Sequence, residues 1–177
     1  MATRVLLMAD THLPKRARDL PEELWRAVDE ADLVVHAGDW VDVRLLDELE
    51  ARSRRLVACW GNNDHGELRE RLPEVATVEV EGLALGVVHE TGQAAGREAR
   101  MAATYPHLDM LVFGHSHIPW DTTTGGLRLL NPGSPTDHRR QPHCTYMTLT
   151  LDSGELRDVT LHRLPPRLPG TPRTGPH

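Results

Sequence analysis

Residues 33–39 read LVVHAGD, and residues 5–12 read VLLMADTH. Each is a short, nearly unbroken apolar run that stops at side chains able to bind a cation: Asp39 in the first, Asp10 and His12 in the second. Short apolar runs of this kind suit strands buried in a sheet. Between them, residues 22–31 carry a helical pattern opened by Pro21 at its first turn. Beyond Asp39 the rhythm repeats: residues 43–51 are helix-like, with Leu45, Leu46 and Leu49 on one face, and residues 55–60 form a third apolar run. Strands separated by helical patterns predict parallel pairing through helical crossovers.

The second half changes character. Residues 76–80 and 83–88 flank Glu81-Gly82, residues 120–124 and 127–130 flank Gly125-Gly126, and residues 145–151 and 156–164 flank Asp152-Ser153-Gly154. Each is a hairpin signal. Residues 93–105 are predicted helical and residues 110–113 form another short strand. The expected fold is therefore α/β, with two packed and partly mixed sheets covered by helices. Residues 1–164 are expected to form one domain. Residues 165–177, with five prolines in thirteen residues, are expected to be an extended or disordered tail.

Bulk properties narrow the function. At 177 residues the chain fits a single domain, and its 39% hydrophobic and 26% charged residues are ordinary for a globular protein. A formal charge of -6 argues against general binding to nucleic acid or to anionic membranes. Two cysteines are too few for a disulfide framework, and neither a secretory leader nor a membrane span is legible. A cytoplasmic location is expected, and a homo-oligomer stays open.

The chemistry lies just beyond each strand. The five apolar runs end in Asp10-Thr11-His12, Gly38-Asp39, Gly61-Asn62-Asn63-Asp64, His89, and Gly114-His115-Ser116-His117. Taken singly, Asp-x-His reads as a cap or surface turn, Gly-Asp as a helix start, and residues 61–64 as a turn. His115 and His117, close together beside an apolar run, need polar partners or a metal. Ligands of open α/β sheets sit beyond the carboxyl ends of strands, so these loops can converge. The mixture of imidazole and oxygen ligands suits Mn²⁺, Fe²⁺, Co²⁺, Ni²⁺ or Zn²⁺. Seven ligands exceed what one such ion needs, whereas two ions sharing a carboxylate use them all.

In this order the motifs resemble those of the calcineurin-like metallophosphoesterase superfamily, over roughly three quarters of the chain from Asp10 to Ser134. The short length is similar to its small YfcE-type phosphodiesterase branch, whose fold also serves in a retromer scaffold subunit. The resemblance implies an αββα sandwich. It also implies two divalent ions, Mn²⁺ foremost, with Asp10, His12 and His117 on one, Asn62, His89 and His115 on the other, and Asp39 bridging them. Asn131-Pro132-Gly133-Ser134 resembles that branch's turn and is given a structural role. His36 matches a frequent family position that is not a ligand, so it is expected to be a core or supporting histidine.

The implied reaction is hydrolysis of a phosphate ester by a hydroxide bridging the metals, with Asp39, Asn63 and Asp64 as the catalytic set. Asp64 matches the acidic end of its motif, with support of a ligand as an equal alternative. Two departures stand out. Asn63 replaces the His that many larger members use, and an amide cannot act as an acid. His89 is followed by Glu90 where glycine is common. His65 is an alternative acid, against a plain place on the turn surface, and Arg139 and Arg140 are read as solvated. The rival functions are a protein-binding scaffold on the same fold, or a phosphomonoesterase or protein phosphatase with the same metals.

Overall fold

Strand β1, Thr3–Met8, sets the layering of the molecule because its side chains alternate between two different cores. The computed structural model describes residues 1–166. Leu6 and Met8 point to one side, where they meet Leu24, Trp25 and Val28 of helix α1 (Glu22–Glu30) and Leu45, Leu46 and Leu49 of α2 (Val43–Arg52). Val5, Leu7 and Ala9 point to the other side, onto Leu85, Val87, Met110 and Val112. Strand β2, Leu33–His36, alternates likewise: Val34 joins the helical side, Leu33 and Val35 the opposite one. A third cluster of Val88, Leu111, Phe113 and Leu129 packs with Met101 of a further helix. The layers therefore run helix, sheet, sheet, helix.

The remaining elements are β3 (Leu56–Ala58), α3 (Glu67–Arg71), β4 (Val75–Val80), β5 (Leu83–Val88), α4 (Arg97–Thr104), β6 (Met110–Val112), β7 (Trp120–Thr124), β8 (Leu127–Asn131), β9 (Thr145–Asp152) and β10 (Glu155–Arg163). One sheet has the order β10-β9-β1-β2-β3, and the other β4-β5-β6-β8-β7. Strands β1, β2 and β3 are mutually parallel, with Val5 opposite Leu33 and Val34 opposite Leu56. Strand β9 closes antiparallel on β1. In the second sheet β5, β6 and β8 are parallel, and antiparallel β4 and β7 form its edges. Both sheets are mixed, as the sequence predicts.

All three expected hairpins form. In the first, Glu81 and Gly82 have φ of 52° and 78°, the paired positive values that match the twist of flanking strands. Two expectations need correction, and one helix was not predicted. The helix predicted over 93–105 begins only at Arg97, because Gly96 at φ 72° interrupts the backbone and Arg100 reaches back to the carbonyls of Thr91 and Gln93. The strand predicted over 55–60 pairs only through Leu56–Ala58, since the Trp60 N–H turns away to the Pro73 carbonyl. Helix α3, only five residues long, carries too few periods to be legible. Among the described residues no helix is long and apolar enough to cross a membrane. Of the predicted tail, residues 167–177 lie outside the described residues.

Candidate metal centre

Parallel strands share a direction, so the carboxyl ends of β1, β2 and β3 open at one edge of the first sheet, and β5 and β6 bring theirs beside it. Asp10 and His12 leave β1, Asp39 follows β2, Asn62 to Asp64 follow β3, His89 follows β5, and His115 and His117 follow β6. All seven expected ligands thus come to one place. Asp10, His12, Asp39, His89 and His117 are buried, while Asn62 and His115 form the open side.

Asp39 lies at the middle. Its Oδ2 is 3.2 Å from His12 Nε2, and its Oδ1 is 3.4 Å from His89 Nε2. Asp10 Oδ1 lies 3.6 Å from His117 Nε2 and 3.9 Å from His89 Nε2. On the open side the Asn62 Oδ1 is 2.9 Å from His89 Nε2 and 3.1 Å from His115 Nδ1. Three groups of ligand atoms each fall within 4.8 Å of one another: Asp10, His12 and His117; Asp10, Asp39 and His89; His89, Glu90 and His115.

The donor set fits a cation. The Nε2 atoms of His12 and His117 are buried without a hydrogen-bond partner, and leaving such an atom unpaired costs about 1–3 kcal/mol. Both face carboxylates across gaps of 3.2 Å and more. His89 Nδ1 lies 2.7 Å from the Ala37 carbonyl, which accepts a hydrogen bond from it and leaves Nε2 turned toward the carboxylates. His117 Nδ1 meets the Asp137 carbonyl in the same manner. Burial pushes the Asp10 carboxyl up to about 7 and the His117 imidazole down to about 4. Burial also opposes charge on Asp39, yet the close His12 and His89 imidazoles and the Asn63 N–H hold its carboxyl well below the usual carboxylate range. His89 is desolvated too, but the Asp39 hydrogen bond and the Asp10 charge raise it to about 9. The protein thus gathers buried carboxylates and crowded imidazoles at one point, an arrangement that a divalent ion relieves.

The backbone bends to achieve this. Asp10, His12, Asp39, His115 and His117 all have left-handed φ, from 45° to 72°. Such conformations cost of order 1–3 kcal/mol each in non-glycine residues and persist only where surrounding contacts impose them. Those contacts are identifiable. Asp64 accepts hydrogen bonds from the N–H groups of Asp39, Gly61 and Val41 at 2.9, 2.8 and 2.7 Å. Ser134 Oγ donates to the Asp10 carbonyl and Thr136 Oγ1 to the Thr11 carbonyl. Asn131 Nδ2 donates to the Gly114 carbonyl. At Gly61 a Cβ would stand 2.2 Å from Asp39 Oδ1, so only glycine lets this loop pass so close.

Several sequence-predicted residues take specific places. Asn63 donates from its backbone N–H to Asp39 Oδ1 at 2.9 Å and from its side chain to Asp39 Oδ2 at 2.8 Å. Asp64 is fully buried behind the site with both oxygens occupied. His36 is buried, stacked on Trp40 at 3.6 Å, and held between the Gly38 N–H and the Thr11 hydroxyl. His65 is exposed. Arg139 donates to the His115 carbonyl, at 3.5 Å. Sequence reasoning missed Glu90 as a neighbour of His115 and Asp137 as the partner of His117. Asp137 acts through its carbonyl, which no residue type advertises. Glu90 had a signal in its position beside His89.

With this geometry in place, comparisons with known proteins are informative. Residues 3–154 match the calcineurin-like phosphoesterase superfamily domain. A probable metallophosphoesterase of Methanothermobacter thermautotrophicus is 31% identical over 159 residues, 89% of this chain and 90% of that protein. A protein named a phosphodiesterase in Methanocaldococcus jannaschii is 25% identical over 179 residues, 89% of this chain and 99% of its own length. Among solved structures, Vps29 of Entamoeba histolytica complexed with zinc superposes with a TM-score of 0.73 at 22% identity, covering 91% of this chain and 98% of that one. Vps29 speaks to the fold alone. The domain match and the archaeal relative speak to descent, and the loops that bring the ligand-type side chains together lie within the matched span: the chain belongs to the calcineurin-like phosphoesterase superfamily.

Proposed function

We propose that the protein is a phosphodiesterase holding two divalent cations, Mn²⁺ foremost, at the strand ends. The observation that carries this reading is Asp39, which presents one oxygen to His12 and the other to His89. Asp10, His12 and His117 would hold one ion, Asn62, His89 and His115 the second, and Asp39 both. Cations bound there would supply an activated water at neutral pH and offset charge on the phosphoryl oxygens.

The chain's own groups supply the rest. The Ala37 and Asp137 carbonyls fix the tautomers of His89 and His117. Asp64 holds the Asp39 backbone from behind and acts as a positioning residue rather than a catalytic one. Asn63 orients the Asp39 carboxylate, and its amide keeps a second N–H for a phosphoryl oxygen. It cannot protonate a leaving group, which favours esters whose leaving groups depart unaided. The name of the M. jannaschii relative supports the diester preference. The unpartnered buried nitrogens of His12 and His117 support metal binding. Turnover is what separates the hydrolase from a protein-binding scaffold on the same fold, since Vps29 is itself solved complexed with zinc. A content of only two cysteines supports a cytoplasmic place.

The test is a metal-free preparation assayed with aryl phosphodiesters and the matching monoesters. Activity should be absent, return on adding Mn²⁺, and fall to the background rate in Asp39→Ala under the same conditions. Full activity without metal would overturn the metal reading. Faster turnover of monoesters than of diesters would overturn the substrate class.

A further inference from the structure

We infer that Glu90 is a ligand of the second cation. This assignment rests on the reading that Asn62, His89 and His115 hold that ion.

Geometry supports it first. Glu90 Oε1 lies 3.8 Å from His115 Nδ1, and both fall within 4.8 Å of a ligand nitrogen of His89. Ligand atoms about 2.0–2.2 Å from one first-row ion stand roughly 3 to 4 Å apart. The same His115 nitrogen is 3.1 Å from Asn62 Oδ1, so carboxylate, amide and imidazole face one point. Among the described residues, no Arg or Lys lies within ion-pair distance of Glu90; the titratable side chain it faces is His115.

Charge supports it independently. The inner ion would have Asp10 to itself and share Asp39. The outer ion would share Asp39 but otherwise see only neutral groups, Asn62, His89 and His115. A divalent ion compensated by half a carboxylate is poorly held at an exposed site. Glu90 restores parity: one private carboxylate for each ion and one shared between them. Its half-open position also leaves room for it to yield to an incoming phosphate ester.

A second carboxylate provides the control. Glu74 lines the same cleft of about 160 Å³, together with Trp60, Asn62, Val88, His89 and Glu90, but belongs to none of the ligand groups. If Glu90 acted merely as nearby charge, Glu74 would act similarly, and salt would screen both over about 8–10 Å.

The experiment is calorimetric titration of metal-free wild type, Glu90→Gln and Glu74→Gln with Mn²⁺, at low and high salt. Wild type should show two sites. Glu90→Gln should weaken one of them about tenfold or more, leave the other unchanged, and keep that deficit at high salt. Glu74→Gln should shift either site less than about twofold. Equal weakening by both variants, or two unaltered sites in Glu90→Gln, would overturn the Glu90 assignment while leaving the two-ion reading intact. A wild type that binds no ion would instead overturn the reading beneath it. Both residues are exposed, and an unchanged melting temperature of the metal-free variants checks that each still folds.

Discussion

His36 sits where charge is hardest to place, enclosed by Trp40, Thr11 and the Gly38 N–H with no exposure to water. Burial pushes its imidazole down to about 3, against about 6.5 for an unperturbed histidine. The unfolded chain therefore binds a proton that the folded chain refuses between those values, so stability falls as pH drops from about 6.5 toward 3. One such group contributes a slope of about 1.4 kcal/mol per pH unit within that window. Unfolding of metal-free wild type and His36→Gln, followed between pH 7 and 4, should show the shallower acid loss in the variant, whatever its absolute stability. Parallel curves would mean that His36 keeps its proton on folding. At this scale the sequence was informative wherever function resides in a side chain. Asp10, His12, Asp39 and the three later histidines could be read off strand ends because their chemistry is unusual beside apolar runs. Asp137, which works through a carbonyl, was hidden because every residue has one. Glu90 was visible only as a departure.

Asp64 joins two elements, tying the loop after β3 to the loop after β2. Its Oδ2 takes the Asp39 and Gly61 N–H groups and its Oδ1 takes that of Val41. Asp64→Asn keeps the shape but turns one acceptor into a donor, so at least one buried N–H loses its partner at a cost of about 1–3 kcal/mol. The variant should melt several degrees lower and bind Mn²⁺ more weakly, because Asp39 would no longer be held in its left-handed conformation. Were Asp64 a proton-transfer group, the same change would leave melting and metal affinity intact and remove only turnover. The elements themselves were legible to different degrees, for physical reasons. Buried strands and two-residue hairpins announce themselves locally, through apolar runs and paired positive-φ turns. That β9 pairs with β1 and that β6 lies between β5 and β8 left no local trace, since those contacts join segments far apart in the chain. Helix α3 was too short to show a period.

At the scale of the molecule, two packed sheets and two helical layers support a site that is expected to oppose folding when no cation is present. Five left-handed residues, two unpartnered imidazole nitrogens and a fully buried Asp10 are concentrated at one edge. Asp10 makes the cost measurable. Burial, with the neighbouring Asp39 charge adding to it, raises its carboxyl to about 7, whereas an unfolded aspartate titrates near 3.9. Between those values the folded state binds the extra proton, so stability declines as pH rises and the full cost is present above about 7. Asp10→Asn removes that charge while an amide oxygen can still accept the His115 N–H now bonded to Asp10 at 3.0 Å. At pH 8 with a chelator, the variant should therefore melt higher than wild type, by an amount on the order of a few kcal/mol. Adding Mn²⁺ should reverse the order. Wild type at a hundredfold excess over its dissociation constant gains about 2.7 kcal/mol per site, roughly 5–10 °C for a domain of this size. Asp10→Asn should gain far less, having lost the carboxylate proposed for the inner ion. A variant less stable than wild type in chelator would show that Asp10 serves folding directly. A variant with an undiminished metal shift would place the inner ion elsewhere. A crossing of the two melting temperatures on adding metal would identify a fold strained on behalf of a cation.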